Sequence, residues 1–248
     1  MRAFGLAALA VLAAGCAEVP KDPAAKAAYD EANDPIEPTN RAIFDFNMAA
    51  DRAVIKPVAK SYRWALPEFV RTSIRNVLNN AKSPVVFIND SLQGSPSRAG
   101  ETLMRFIVNT TAGMGGIFDV AGEYGMERHS EDFGQTLAVW GIGEGPYLML
   151  PILGPSNVRD TVGRVADGFM DPFGYLMANN GLDFARVGMV VTDGIDTRAR
   201  NIESLDDIEK NSLDFYATLR SLYRQNRRSE ILNGKVQDIP VPEIREND

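Results

Sequence analysis

The sequence predicts a mainly α-helical protein in which amphipathic helices are joined by extended Gly/Pro-rich connections. Two observations predict it. Apolar residues recur at three- and four-residue steps through most of the chain, the period of a helix with one apolar face. The breaks between those stretches carry Gly and Pro, which interrupt helices. At 248 residues, 45% hydrophobic and 24% charged, the chain is long enough for a sizeable core and is not disordered by composition.

The N-terminus, "MRAFGLAALAVLAAGC", has a basic residue at Arg2 and an apolar run from Ala3 to Ala14, too short to span a membrane. It ends in Leu12-Ala13-Ala14-Gly15-Cys16, which resembles a bacterial lipobox; the usual leucine three places before the cysteine is replaced by Ala13. Cys16 is the chain's only cysteine and has no disulfide partner within it. The resemblance implies a signal peptide over 1–15 and a diacylglycerol with a further acyl chain on Cys16. At about 0.8 kcal/mol per buried CH2, two or three chains anchor stably. Ala17 follows, where enteric bacteria place an aspartate to retain lipoproteins in the inner membrane, so outer-membrane sorting is expected.

Residues 16–33 read as a polar, Ala-rich tether and 34–228 as the helical body. Asp34, Pro35 and Glu37 carry the spacing of a capping box at a helix start. Phe69, Ile74, Val77, Leu78 and Ala81 mark one helix, and Ser83-Pro84 is expected to begin another that ends at Gly94. From Ser97 the stripe is clearest. Leu103, Phe106, Ile107, Met114, Ile117 and Phe118 lie on one side, with Glu101, Arg105 and Asn109 on the other and Glu101 at ion-pair spacing from Arg105. Gly113, Gly115 and Gly116 predict a break or hinge. Asp171-Pro172 reads as a further start, and Ile208, Phe215, Leu219, Leu222 and Tyr223 as a last helix. Residues 229–248 lose periodicity and read as a flexible tail. Core packing accounts for such stripes in most proteins. Beside a bilayer they have a second use, lying within one leaflet, since no run in the mature body is long enough to span it.

The stretch "WGIGEGPYLMLPILGPSNVRD" (140–160) raises a nucleotide site and then removes it. Gly141, Gly143 and Gly145 are followed by Pro146 where a dinucleotide loop needs its next glycine, and no Gly-Lys-Ser/Thr is present. Pro146, Pro151 and Pro155 predict an extended path through Tyr147, Leu148 and Leu150. That path suits an apolar wall facing lipid or channel, or a buried connection. Ser156 is expected to cap the helix through Val158, Val162 and Val165.

Chemistry is limited by what is scarce. A net charge of −7 argues against nucleic acid, and the Arg224, Arg227 and Arg228 cluster reads as a solvated helix end. With no CxxC, no HExxH and no GxSxG beside the lone His129, no metal, catalytic residue or soluble cofactor is expected.

Five segments in order, "NDPIEPTNRAIFDFN" (33–47), "LNNAKSPVVFINDSLQG" (78–94), "RFIVNTTAGMGGIFDVAGEYG" (105–125), "EDFGQTLAVWGIGEGPYLMLPILGPSNVRDTVGRVADGF" (131–169) and "DGIDTRA" (193–199), resemble the MlaA/VacJ family of outer-membrane phospholipid-transport lipoproteins. Pro38-Thr39 departs from the glycine and phenylalanine common there. The resemblance implies a ring- or disc-like helical body in the inner leaflet of the outer membrane. Its amphipathic channel takes mislocalised phospholipid from the outer leaflet. A porin trimer associates with it, and the lipid passes to the periplasmic carrier MlaC and on to the inner-membrane MlaFEDB ATPase complex. Against this stand a structural lipoprotein that scaffolds porins without moving lipid, and an envelope hydrolase, for which no nucleophile–base pair is available. Candidate channel- or lipid-facing residues are Glu101, Leu103, Arg105, Phe106, Ile107, Asn109, Tyr147, Leu148 and Leu150, with Gly113, Gly115 and Gly116 as the hinge.

Overall fold

A computed structural model describes residues 32–234 continuously, with a few isolated positions before them. The signal peptide, Cys16, most of the tether and the end of the tail lie outside the described residues. The body is helical, with one short antiparallel hairpin.

Helix α1 spans Glu37–Ala50, with Pro38 in its first turn, where a missing N–H costs nothing. Asp34 does not cap it. Its carboxylate is buried and accepts from Asn40 Nδ2 at 2.7 Å, from Arg220 Nη1 at 2.7 Å and from the Tyr216 hydroxyl. A short π segment, Asp51–Ile55, precedes Pro57 and leads into α2, Lys56–Ala65. Helix α3 runs from Glu68 to Leu92 without a break. Ser83-Pro84 is therefore not a helix start. Pro84 leaves one backbone bond unmade, but α4, Pro96–Thr111, packs along α3 and holds the helix together.

The glycine break is present. After α4 the chain turns through Ala112–Ile117, with Met114, Gly115 and Gly116 at positive φ. A Cβ on Gly113 would collide with the carbonyls of Phe118 and Asn109, and one on Gly116 would lie 2.6 Å from Asn80 Cβ. Asp119 then caps α5, Val120–Glu123, and Asp132 caps α6, Phe133–Val139.

The proline-rich stretch is extended, as its prolines require, but it closes on itself. Strand β1, Tyr147–Leu150, pairs with β2, Gly154–Asn157, with Tyr147 opposite Asn157 and Leu150 opposite Gly154. Helix α1 satisfies the free edge of β1 with side chains. Asn40 donates to the Tyr147 carbonyl at 3.1 Å and accepts from Met149 N at 2.9 Å; Asn47 does the same for Leu150 and Ile152. Asn157, not Ser156, caps α7, Val158–Phe169, accepting from Asp160 N at 2.7 Å, while Ser156 is buried in β2.

Helix α8, Pro172–Asn179, starts where Asp171-Pro172 predicts, and α9 spans Asp183–Arg200. Ile208 belongs to a separate helix, α10, Ile202–Asn211; Ser212 is extended and Asp214 caps α11, Phe215–Ile231. The apolar core is small. Phe44, Tyr147, Met149 and Tyr216 pack with edge-to-face rings, Phe44 5.5 Å and Tyr147 6.1 Å from Tyr216. A second cluster joins Ala59, Ala199 and Ile202 where α2 meets α9.

Candidate functional site

Burial in this fold runs opposite to that of a water-soluble domain. Among the described residues, polar and charged side chains outnumber apolar ones in the interior, while many large apolar side chains are exposed. Helix α4 buries Ala99, Thr102, Arg105 and Asn109 and exposes Leu103, Met104 and Ile107. Helix α7 buries Arg159, Asp160 and Gly163 and exposes Val158, Val162, Val165 and Phe169 (70%). On α9, Phe184, Val187 and Val191 face outward. No helix among the described residues is long and apolar enough to cross a membrane.

The inward faces enclose a cavity of about 620 Å³. Helices α3, α4, α7, α8 and α9, with the segment between α5 and α6, all contribute to its wall, so the body is a ring around a space lined by both charged and apolar side chains. Arg105 and Asn109 line it from α4. Arg105 does not pair with Glu101, which is not part of the lining. Instead it holds Asp119 through two bonds of 2.8 and 3.0 Å and reaches the Met126 carbonyl. Asn109 donates to Asp119 at 2.8 Å and accepts from Ala121 N. Burial alone would raise the Asp119 carboxyl, but these hydrogen bonds and the Arg105 charge hold it below the usual carboxylate range.

Across the cavity, Lys82 on α3 pairs with Asp193 on α9 at 2.8 Å, and Arg75 pairs with Asp196 at 2.9 Å. His129 is structurally satisfied. Its Nε2 lies 2.9 Å from Asp90 and 3.1 Å from Thr102 Oγ1, so both contacts fall on one ring nitrogen. Glu131 is held by Arg98 and Gln93. Arg128, Arg164 and Arg186 also line the cavity, and none has a carboxylate among the described residues within ion-pair distance; Arg164 donates to the Pro155 carbonyl at 3.5 Å. Arg128 is accessible from the lumen yet enclosed by protein; that loss of water, with Arg105 nearby, presses its guanidinium below its ordinary value. Apolar lining comes from Phe173, Met177, Met189 and Val190.

The other sequence candidates divide. Leu103 and Ile107 lie on the outer face, and Phe106 is half-buried against Phe173, ring centres 6.3 Å apart. Tyr147 lines neither lipid nor channel; it is 2% exposed and packs in the core with Tyr216 and Tyr223, while Leu148 and Leu150 are half-buried on the other face of β1. Arg227 is not solvated, because Asp132 and Asp160 surround it. The α9 lining residues Arg186 and Asp193 were missed by sequence reasoning, although two charges seven residues apart in a valine-rich helix mark one face.

A family model described as MlaA lipoprotein matches residues 32–230. The chain belongs to the MlaA lipoprotein family. It is 34% identical to the intermembrane phospholipid transport system lipoprotein MlaA of Escherichia coli strain K12, over all of this chain and 96% of that one. The MlaA of Haemophilus influenzae is 33% identical over 83% of this chain and 82% of its own length. An uncharacterised protein of Rickettsia bellii is 35% identical over 86% and 82%. Among solved structures, one described as the structural basis for maintenance of bacterial outer membrane lipid asymmetry superposes with a TM-score of 0.72. It is 36% identical and covers 80% of this chain and 98% of its own. The helical ring is thus the fold of the MlaA family.

Proposed function

We propose that the chain is an outer-membrane lipoprotein, acylated on Cys16, that removes mislocalised phospholipid from the outer leaflet through its central cavity and passes it to a periplasmic carrier. The observation that carries this reading is a charged cavity enclosed by helices whose outer faces are apolar. A body of that kind is at home in one leaflet, with acyl chains against its rim and a polar route through its middle. Relatives named for intermembrane phospholipid transport support it.

A porin trimer would fix the ring in the membrane plane, and MlaC, charged by the MlaFEDB ATPase, would supply the gradient, since the ring holds no energy source of its own. No covalent step is needed, as the lipid changes place and not composition. Gly113, Gly115 and Gly116, in the turn beside Asn80 of the cavity wall, are the proposed hinge for opening it.

Deletion of the gene tests the proposal by measuring outer-leaflet phospholipid together with detergent sensitivity. Excess surface phospholipid is expected. Normal lipid with a weakened envelope would indicate a scaffold, and a change of lipid species would indicate a hydrolase; either would overturn the transport reading.

A further inference from the structure

A second depression, about 460 Å³, adjoins the cavity between α3 and α9. It is apolar, walled chiefly by Val70, Ile74 and Val77 on one side, Ala185 and Gly188 on the other, and Ile117. Leu78 and Met189 line both spaces, so polar cavity and apolar groove meet along one wall. Helical geometry produces the junction. On α9, Ala185, Gly188, Met189 and Thr192 face the groove, while Arg186, Met189, Val190 and Asp193 face the cavity one residue further round. The ion pairs Lys82–Asp193 and Arg75–Asp196 tie the two helices together across the space. A Cβ on Gly188 would meet nothing within 4 Å.

We propose that this groove holds one acyl chain of a phospholipid whose phosphate lies in the cavity against Arg186, aided by Arg128 and Arg164. The inference rests on the phospholipid reading and deepens it. The groove is an open apolar depression, and water lying in it would find few polar partners, so covering it with an apolar chain is favourable. Charge complementarity selects the occupant. Of the cavity's carboxylates, Asp119, Glu131, Asp132 and Asp193 are held by Arg105, Arg98, Arg227 and Lys82, and Asp167 accepts from Asn89 and the Phe133 N–H. That leaves three guanidinium groups for a phosphate and, in Asp171, one carboxylate for an amine. A zwitterionic phospholipid joins an ammonium, a phosphate and an apolar chain in one molecule, and the cavity and its groove together offer a partner for each.

The test uses full-length acylated protein and phosphatidylethanolamine carrying a diazirine at the end of one acyl chain, irradiated and mapped by mass spectrometry. Labels are expected on Ile74, Val77, Ile117 and Gly188. Gly188→Leu fills the open space with a better helix former, so groove labelling should fall about tenfold as chain contacts are lost, with the thermal midpoint unchanged or higher. Arg186→Gln should lower labelling about fivefold and Arg186→Lys should recover part of it, because the phosphate loses and then regains a charged donor. Labels confined to the outer residues Val187 and Val191, unaltered by Gly188→Leu, would overturn the inference. In cells the two claims separate. If the deletion strain accumulates surface phospholipid and Gly188→Leu rescues it like wild type, the groove assignment fails and transport stands. If the deletion strain shows no such excess, the transport reading fails and the groove assignment with it.

Discussion

Arg227 is the residue on which several elements depend. It reaches Asp132 at the cap of α6 (2.5 Å) and Asp160 in α7 (2.8 Å), while Tyr223 donates to Asp160 at 2.5 Å. Removing the cation leaves the buried Asp160 carboxylate without its charge partner, with the part-exposed Asp132 beside it. Arg227→Ala should therefore destabilise the detergent-solubilised protein by about 3–5 kcal/mol, measured as urea unfolding, and Arg227→Lys should recover little because it lacks the fork. Burial would raise both carboxyls, but hydrogen bonds and charge from Arg227 hold them below 3.8. A carboxyl depressed in the folded state contributes its stability in full above its unfolded value. The contribution should be complete at neutral pH, begin to fall near 3.8 and vanish as pH passes below the folded values, with Arg227→Ala flattening that acid limb. Two glycines of the turn after α4 differ in kind. Gly115 has φ +73 and open space around it, so Gly115→Ala should cost about 1–2 kcal/mol of backbone strain. Gly116→Ala also meets Asn80 and should cost more in the same melting experiment. If the turn gates the cavity, Gly115→Ala will raise outer-membrane permeability at normal protein level, and unchanged permeability would count against the hinge.

At the scale of elements, period and orientation are separate matters. The three- and four-residue spacing places α4, α8 and much of α3 and α11, because burying one face selects that period in any apolar surroundings. Which face turns inward depends on what covers the outside. In α7, Arg159 and Asp160 point in and Val158, Val162 and Val165 point out. Val162→Asp should hold the detergent-solubilised fold to within about 0.5 kcal/mol, as an exposed substitution does. It should nevertheless weaken flotation of the non-acylated Cys16→Ala protein with phospholipid vesicles, because a charge is expensive in hydrocarbon. Equal flotation of the two would place α7 outside the membrane. Missed elements have identifiable causes, most of them contacts distant in sequence. Pro84 is carried inside a long helix by its packing on α4, Ile208 is separated from α11 by extended Ser212, and the hairpin is stabilised by Asn40 and Asn47, more than a hundred residues from their partners.

For the whole molecule, the ring exists because distant faces share one space that mixes charged and apolar side chains. Arg75 and Lys82 come from α3, Arg105 from α4, Arg164 from α7 and Arg186 from α9. Of these only Arg105, with Asn109, stood out in the sequence, where a contrast of stripes marked them. The rest looked like solvated surface, since a charge facing a lumen and a charge facing bulk water leave the same trace in a linear pattern. Glu101 shows the converse. It has the spacing for a pair with Arg105, yet Asp119 takes that partner because the glycine turn folds it back beside α4.

By itself, the sequence determined a helical body, the glycine break, the extended proline stretch, the scarcity of reactive side chains and the family to which the chain belongs. These follow from local sterics, from periodicity and from composition, which need no knowledge of distant neighbours. Only the tertiary structure decided that the polar stripes face a common cavity, that Arg227 and Asp34 are buried hubs, and that the groove beside Gly188 shares a wall with the cavity. Each of those depends on which faces meet, and that is set by long-range packing, which local sterics and periodicity do not specify.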